Sequence, residues 1–135
     1  MVQTPRSILA LDVGEVRVGV AVASLVARLP RPLTTLNRND NFWNELQLII
    51  ESEAVGELVV GLPRNLSGQS TAQTTAVEAF ANELKRHFGL PVNFQDEAVT
   101  SKKAEAELES RKKPYSKGDI DALAATYILE DYLEV

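Results

Sequence analysis

Two stretches of the chain are apolar almost without a break: Ile8 to Val13, and Leu58-Val59-Val60-Gly61-Leu62. A strand with one wet face alternates polar and apolar residues, so continuous runs of this kind read as strands covered on both faces. After the first run, Val16, Val18, Val20 and Val22 alternate with Arg17, Gly19, Ala21 and Ala23, a period-two strand. The two form a hairpin over residues 7–24 with residues 13–16 at its tip. Leu33-Thr34-Thr35-Leu36 is a third short strand. Residues 37–40, Asn-Arg-Asn-Asp, are turn chemistry that offers an N-cap. Phe42, Leu46, Ile49 and Ile50 then recur at helical spacing, which predicts a helix over about 40–54 with Gly56 as its stop.

Pro63 ends the second apolar run and opens a loop holding Arg64, Asn65, Ser67 and Gly68. Ser70 or Thr71 caps a helix that buries Val77, Phe80, Leu84 and Phe88 and stops at Gly89. Residues 91–95 form a strand running into Asp96-Glu97, and a helix follows from Thr100 or Ser101 to about Glu109. A basic loop, Arg111-Lys112-Lys113-Pro114-Tyr115-Ser116-Lys117-Gly118, leads into a last helix from about Asp119 to Leu133. The order β-β-β-α-β-α-β-α-α predicts an α/β fold. Its five-stranded mixed sheet has three antiparallel strands and helices on both faces, and residues 1–135 form one domain.

Composition narrows the chemistry. The 135 residues are 44% hydrophobic and 24% charged, a globular balance. The absence of cysteine rules out disulfides and thiolate zinc sites, and the lone His87 argues against a multi-histidine metal site or a Ser-His triad. No run is long enough to cross a bilayer, and the first residues lack the apolar core of a signal peptide, so a cytoplasmic address without membrane association is expected. A net charge of −5 argues against non-specific coating of duplex DNA but is compatible with a nuclease, whose catalytic acids count toward it.

Three acids stand at element ends: Asp12 near the end of the first strand, Glu97 just past the strand from Val92, and Asp121 in the first turns of the last helix. A buried unpaired carboxylate is costly, so Asp12 needs a cation, a donor or a route to solvent. Three carboxylates from separate elements suit hard divalent cations, and a pair of such ions can activate water against a phosphodiester. The bland readings are a turn before Gly14 for Asp12, Asp96 as the inward acid in place of Glu97, and Asp119 as the functional acid or simple helix cap beside Asp121. Arg17 is either a solvated strand residue or a phosphate contact. Residues 61–68 either let backbone N–H groups approach a phosphate or form a plain connection. Arg111, Lys112, Lys113 and Lys117 are a solvated loop or a patch that draws nucleic acid toward the acids, with Lys102 and Lys103 adding modestly. His87 is expected to interact with a helix dipole, and Trp43 to pack rather than stack on bases.

Five segments carry a resemblance. Asp12-Val-Gly-Glu-Val-Arg17-Val-Gly-Val-Ala, Val59-Val60-Gly61-Leu62-Pro63 with Ser67-Gly68, and Gln73-Thr74 with Phe80 are the first three. Pro91-Val92 with Asp96-Glu97 and Thr100-Ser101-x-x-Ala104-Glu105 are the fourth, and Asp121-x-x-Ala124-Ala125 through Tyr132-Leu133 the fifth. Together they resemble the YqgF/RuvX family of RNase H-like proteins, described as Holliday-junction resolvases and pre-16S rRNA nucleases, over residues 8–133. The resemblance implies an RNase H-like three-layer fold and a nuclease core with Asp12, Glu97 and Asp121 as catalytic residues and ligands of Mg²⁺ or Mn²⁺, two ions. It implies hydrolysis of structured nucleic acid, pre-rRNA or branched DNA, with Arg17, Arg64, Lys112, Lys113 and Lys117 positioning the backbone. A junction substrate would suit a two-fold homodimer. Where the family carries Asp-Glu-Arg, this chain has Asp96-Glu97-Ala98, so Arg17, Arg64 or a lysine is left to supply the missing guanidinium. A non-catalytic scaffold and a phosphotransferase of the actin-like ATPase kind are the rival classes.

Overall fold

The computed structural model describes residues 4–63, 71–97 and 100–134, the side chains of 100–102 excepted. The elements are β1 (Ser7–Val13), β2 (Arg17–Ser24), β3 (Arg31–Asn37), α1 (Phe42–Ser52), β4 (Val55–Pro63), α2 (Ala72–Phe88), β5 (Val92–Glu97), α3 (Thr100–Ser110) and α4 (Lys117–Leu133). The strands lie in the order β3-β2-β1-β4-β5. β1–β2 and β2–β3 are antiparallel, and β1–β4 and β4–β5 parallel. The expected mixed sheet is present, and both apolar runs are central strands.

Alternation along these strands separates large residues from small ones, not apolar from polar. Leu9, Leu11, Val18, Val20, Val22, Leu58 and Val60 face α1 and α2, where Phe42, Leu46, Val77, Phe80 and Leu84 complete the larger core. Ile8, Ala10, Ala21, Ala23 and Val59 face α4 through Ala125, Ile128 and Leu129. The short side chains on that face let α4 lie close to the sheet, and Gly19 takes this to its limit: a Cβ there would collide with the Asp121 carbonyl of α4. Helix α3 packs on α4 through Ala104 and Leu108, outside the sheet.

Several boundaries differ from expectation. Helix α1 ends in a left-handed residue that is not glycine, Ala54 at φ 50°, while Gly56 lies within β4 under the Pro5 ring. Helix α4 starts two residues early, at Lys117, because Ser116 and Asp119 form a capping box: each side chain accepts the other's backbone N–H. Thr71, not Ser70, caps α2 in the same way with Thr74, and Gly89 closes that helix at φ 66° as expected. His87, exposed in the last turn of α2, stacks on Trp43 with ring centroids 3.9 Å apart, and the indole in turn stacks on Phe80. Trp43 is a packing residue, as its sequence position suggested. Glu97 closes β5, opposite Pro63, and does not lie beyond the strand.

Candidate active site

A row runs across the sheet through Asp12. On β2 its direct partner is Gly19, whose own partner on β3 is Thr35. On the other side the parallel register that pairs Leu11 with Val60 brings Asp12 beside Gly61. Residues opposite one another in a sheet point to the same face. Asp12, two residues on from Ala10 and four from Ile8, therefore faces α4 with a glycine on each flank. The two glycines do different work. Gly19 admits the backbone of α4 at Asp121. Gly61 leaves a space bordered by Ile128 and by the Glu97 carboxyl carbon, 3.1 Å from where a Cβ would sit.

The acids thus approach one another from β1, β5 and α4. The Asp12 carboxyl is pushed from its ordinary 3.8 up to about 7, by burial first, then by the Glu97 charge, then by that of Asp121. Asp12, Glu97 and Asp121 share one electrostatic environment. They do not stand as a ready ligand set, since among the described residues no three carboxylate or imidazole groups form a cluster able to hold a metal ion. Asp121 instead accepts a hydrogen bond from Arg17 Nε at 2.7 Å, a part-buried ion pair across 104 residues of sequence. Arg17 is therefore not a solvated strand residue. Its guanidinium belongs to the acid site and partly offsets its charge.

Local structure fixes these positions. The hairpin tip closes tightly, with Gly14 N–H donating to the Arg17 carbonyl at 2.9 Å, which sets Arg17 at the start of the returning strand. Thr35 Oγ1 donates to the Gly118 carbonyl at 2.6 Å and ties the first turn of α4 to β3. The capping box starts that helix at the residue that lets Asp121 fall over Gly19. Asp119 accepts the Ser116 N–H of the cap at 2.9 Å. Thr74, buried at the start of α2, donates to the Pro63 carbonyl and anchors the end of β4.

Lys112, Lys113 and Lys117 are exposed on the α3–α4 turn and the first residue of α4, with Lys112 in the left-handed region at φ 56°. Arg111 pairs with Glu107 at 2.9 Å. Arg64, Ser67, Gly68 and Ala98 lie outside the described residues, as do the Lys102 side chain and most of the 61–68 segment. What sequence reasoning missed is that Gly19 and Gly61 flank Asp12. The only available signal was a glycine on the small-residue side of each strand flanking Asp12.

A family model described as RuvX, Holliday junction resolvase, matches residues 6–135. A Moorella thermoacetica protein named "Putative pre-16S rRNA nuclease" is 40% identical over 134 residues, covering 94% of each chain. A Chloroflexus aurantiacus protein of the same name is 39% identical over 131 residues, 94% of this chain and 86% of that one. Among solved structures, Thermus thermophilus RuvC in complex with a Holliday junction matches with a TM-score of 0.57 at 15% identity, over 96% of this chain and 95% of that one, a likeness of fold. The RNase H-like architecture expected from the sequence is the one observed.

Proposed function

The chain belongs to the RuvX family, described as Holliday junction resolvases, and on that premise we propose that it is a metal-dependent endonuclease. Its substrate in this reading is structured nucleic acid, with the 5′ end of pre-16S rRNA as the preferred target. The observation that carries the reading is the Asp12 carboxyl, lodged between two glycines, with the charges of Glu97 and Asp121 acting on it. A structural acid in that position would be paired by a dedicated cation. Here the one guanidinium described at the site, Arg17, is bonded to Asp121.

The donor chemistry fits Mg²⁺ or Mn²⁺: carboxylate oxygens from three separate elements, and a space beside Gly61 that a side chain would fill. Asp12, Glu97 and Asp121 would hold the ion or ions. Bound there, a divalent cation supplies a hydroxide at neutral pH and stabilises charge on the scissile phosphate and its leaving oxygen. Asp12 must give up its proton for this, and its raised pKa means that near neutrality the proton is only partly lost until a cation arrives. Arg17, released from Asp121, has the geometry to hold a phosphate oxygen bidentately. Lys112, Lys113 and Lys117 would add backbone affinity without sequence choice, as phosphate contacts do.

The family description favours a second substrate, the four-way DNA junction, and the two are tested side by side. Purified protein is incubated with Mn²⁺ and either labelled rRNA precursor or branched DNA, alongside Asp12→Asn. The nuclease reading expects cleavage by the wild type that Asp12→Asn abolishes. Cleavage by both would trace to a contaminant, and binding without cleavage by either would leave a scaffold.

A further inference from the structure

Six large apolar side chains are exposed among the described residues, and four of them, Leu25, Val26, Leu29 and Leu48, gather on one side of the molecule. Three of the four belong to the turn from β2 to β3, where Val26 is 93% and Leu29 72% exposed. The turn is firmly tied. Ser24 Oγ accepts the backbone N–H groups of Val26 and Ala27 at 3.1 and 3.3 Å, and the Arg28 N–H donates to the Ser24 carbonyl at 2.9 Å. The Leu25 N–H donates to the Arg6 carbonyl at 2.9 Å. A turn held in this way presents its side chains with little entropy left to lose on contact. Arg28 stands among them, and among the described residues its guanidinium makes no ion pair.

The fourth side chain, Leu48, borders a groove of about 480 Å³ between α1 and the edge strand β3. Leu33, Leu36 and Ile49 make the groove apolar, and its acids are Glu45 and Glu53. Arg31, which opens β3 directly after the turn, bonds to Glu53 at 3.1 Å and joins the turn to the near end of the groove. Glu45, at the other end of α1, has no such partner among the described residues. Turn and groove are thus complementary to each other and not to themselves. One offers aliphatic tips and a free guanidinium, the other an apolar channel and a free carboxylate. We propose that the turn of one chain seats in the groove of a second copy, with Arg28 against the partner's Glu45. A two-fold axis between turn and groove exchanges them, so both contacts form at once. The groove's carboxylates repel a phosphate backbone, which sets nucleic acid aside as the occupant. Helix α1 packs on the face of the sheet opposite α4, so the pair leaves the acid site uncovered. The inference goes beyond the nuclease reading and stands without it.

Sedimentation velocity of the full chain over a range of concentrations tests this without recourse to cleavage. The wild type should dimerise reversibly. Val26→Asp alters a side chain that its own fold hardly touches, so the melting temperature should hold. The pair should nevertheless weaken by about tenfold or more, because a carboxylate would have to enter an apolar channel. Arg28→Glu and Glu45→Arg should each weaken it by roughly three- to tenfold. An equimolar mixture of those two variants should recover the wild-type affinity, since in the mixed pair both contacts again join opposite charges. A wild type that stays monomeric at its highest soluble concentration overturns the proposal. So does a dimer that Val26→Asp leaves intact, which would place the interface elsewhere. A mixture of the two charge variants that associates no more tightly than either alone overturns the pairing of Arg28 with Glu45 and the seating built on it.

Discussion

Replacing Asp12 by asparagine should stabilise the metal-free protein, and the gain should depend on pH in a way that few other causes would imitate. In the unfolded chain the Asp12 carboxyl ionises at its ordinary 3.8, and in the fold at about 7. Between those two values the native state holds a proton that the unfolded state has lost. Stability therefore falls as pH rises through the window, in contrast to a salt-bridged acid, whose stability rises. The displacement corresponds to about 4 kcal/mol once both states are fully ionised, an upper figure that side-chain relaxation would cut to about 2 kcal/mol. The asparagine side chain resembles the protonated acid in shape and hydrogen bonding. Asp12→Asn and wild type should thus have nearly equal stability at about pH 3, below both values, and differ by about 2–4 kcal/mol at about pH 8, with the variant the more stable. Urea denaturation in EDTA at a series of pH values measures this. Saturating Mn²⁺ should then reverse the order at high pH, since the ion stabilises only the chain that can bind it. Parallel stability curves for the two proteins from acid to alkaline pH would refute the argument, because they would mean that Asp12 ionises in the fold as it does in water.

Three further substitutions probe the surroundings of that carboxyl. Arg17→Gln releases Asp121 from its 2.7 Å partner and should raise Mn²⁺ affinity by roughly three- to tenfold, the worth of one partly exposed ion pair, while slowing cleavage; calorimetric titration reads the first and a cleavage time course the second. Gly19→Ala drives a methyl into the α4 backbone at Asp121, which cannot swing aside, so a loss of about 3 kcal/mol or more is expected in the denaturation midpoint. Gly61→Ala meets the movable end of Ile128 and the Glu97 carboxyl group, so it should cost only about 1 kcal/mol of stability yet weaken Mn²⁺ binding, a separation that calorimetry and denaturation together reveal.

The central strands, the paired cores and the helix order were legible because they follow from local patterning: two unbroken apolar runs, a valine alternation, helical spacing at Phe42-Leu46 and Val77-Phe80-Leu84. The candidate acids were legible too, since carboxylates that border apolar strands attract notice. The partners around them were not. Arg17 and Asp121 lie 104 residues apart, and nothing in either neighbourhood says that they meet. Gly19 reads as one position of a period-two strand and Gly61 as part of an apolar run; their meaning comes from the register that places them on either side of Asp12 and from the helix laid over one of them. The start of α4 was misjudged because Lys117-Gly118 resembles a turn, whereas the reciprocal Ser116–Asp119 cap overrides the low helical preference of glycine. His87 lies in the last turn of α2, where the helix-dipole reading put it, but its stack on Trp43 of a different helix was not legible.

The central claim is that Asp12, Glu97 and Asp121 tolerate one another because a divalent cation joins them. Crystals grown at about pH 8 and soaked in Mn²⁺, examined for anomalous scattering, test this most directly. The account predicts a peak bounded by the three carboxylates, with Asp121 turned from Arg17 toward it, and no peak in Asp12→Asn. A wild-type crystal saturated with Mn²⁺ that shows no density there, with the Arg17–Asp121 pair still closed, would contradict it.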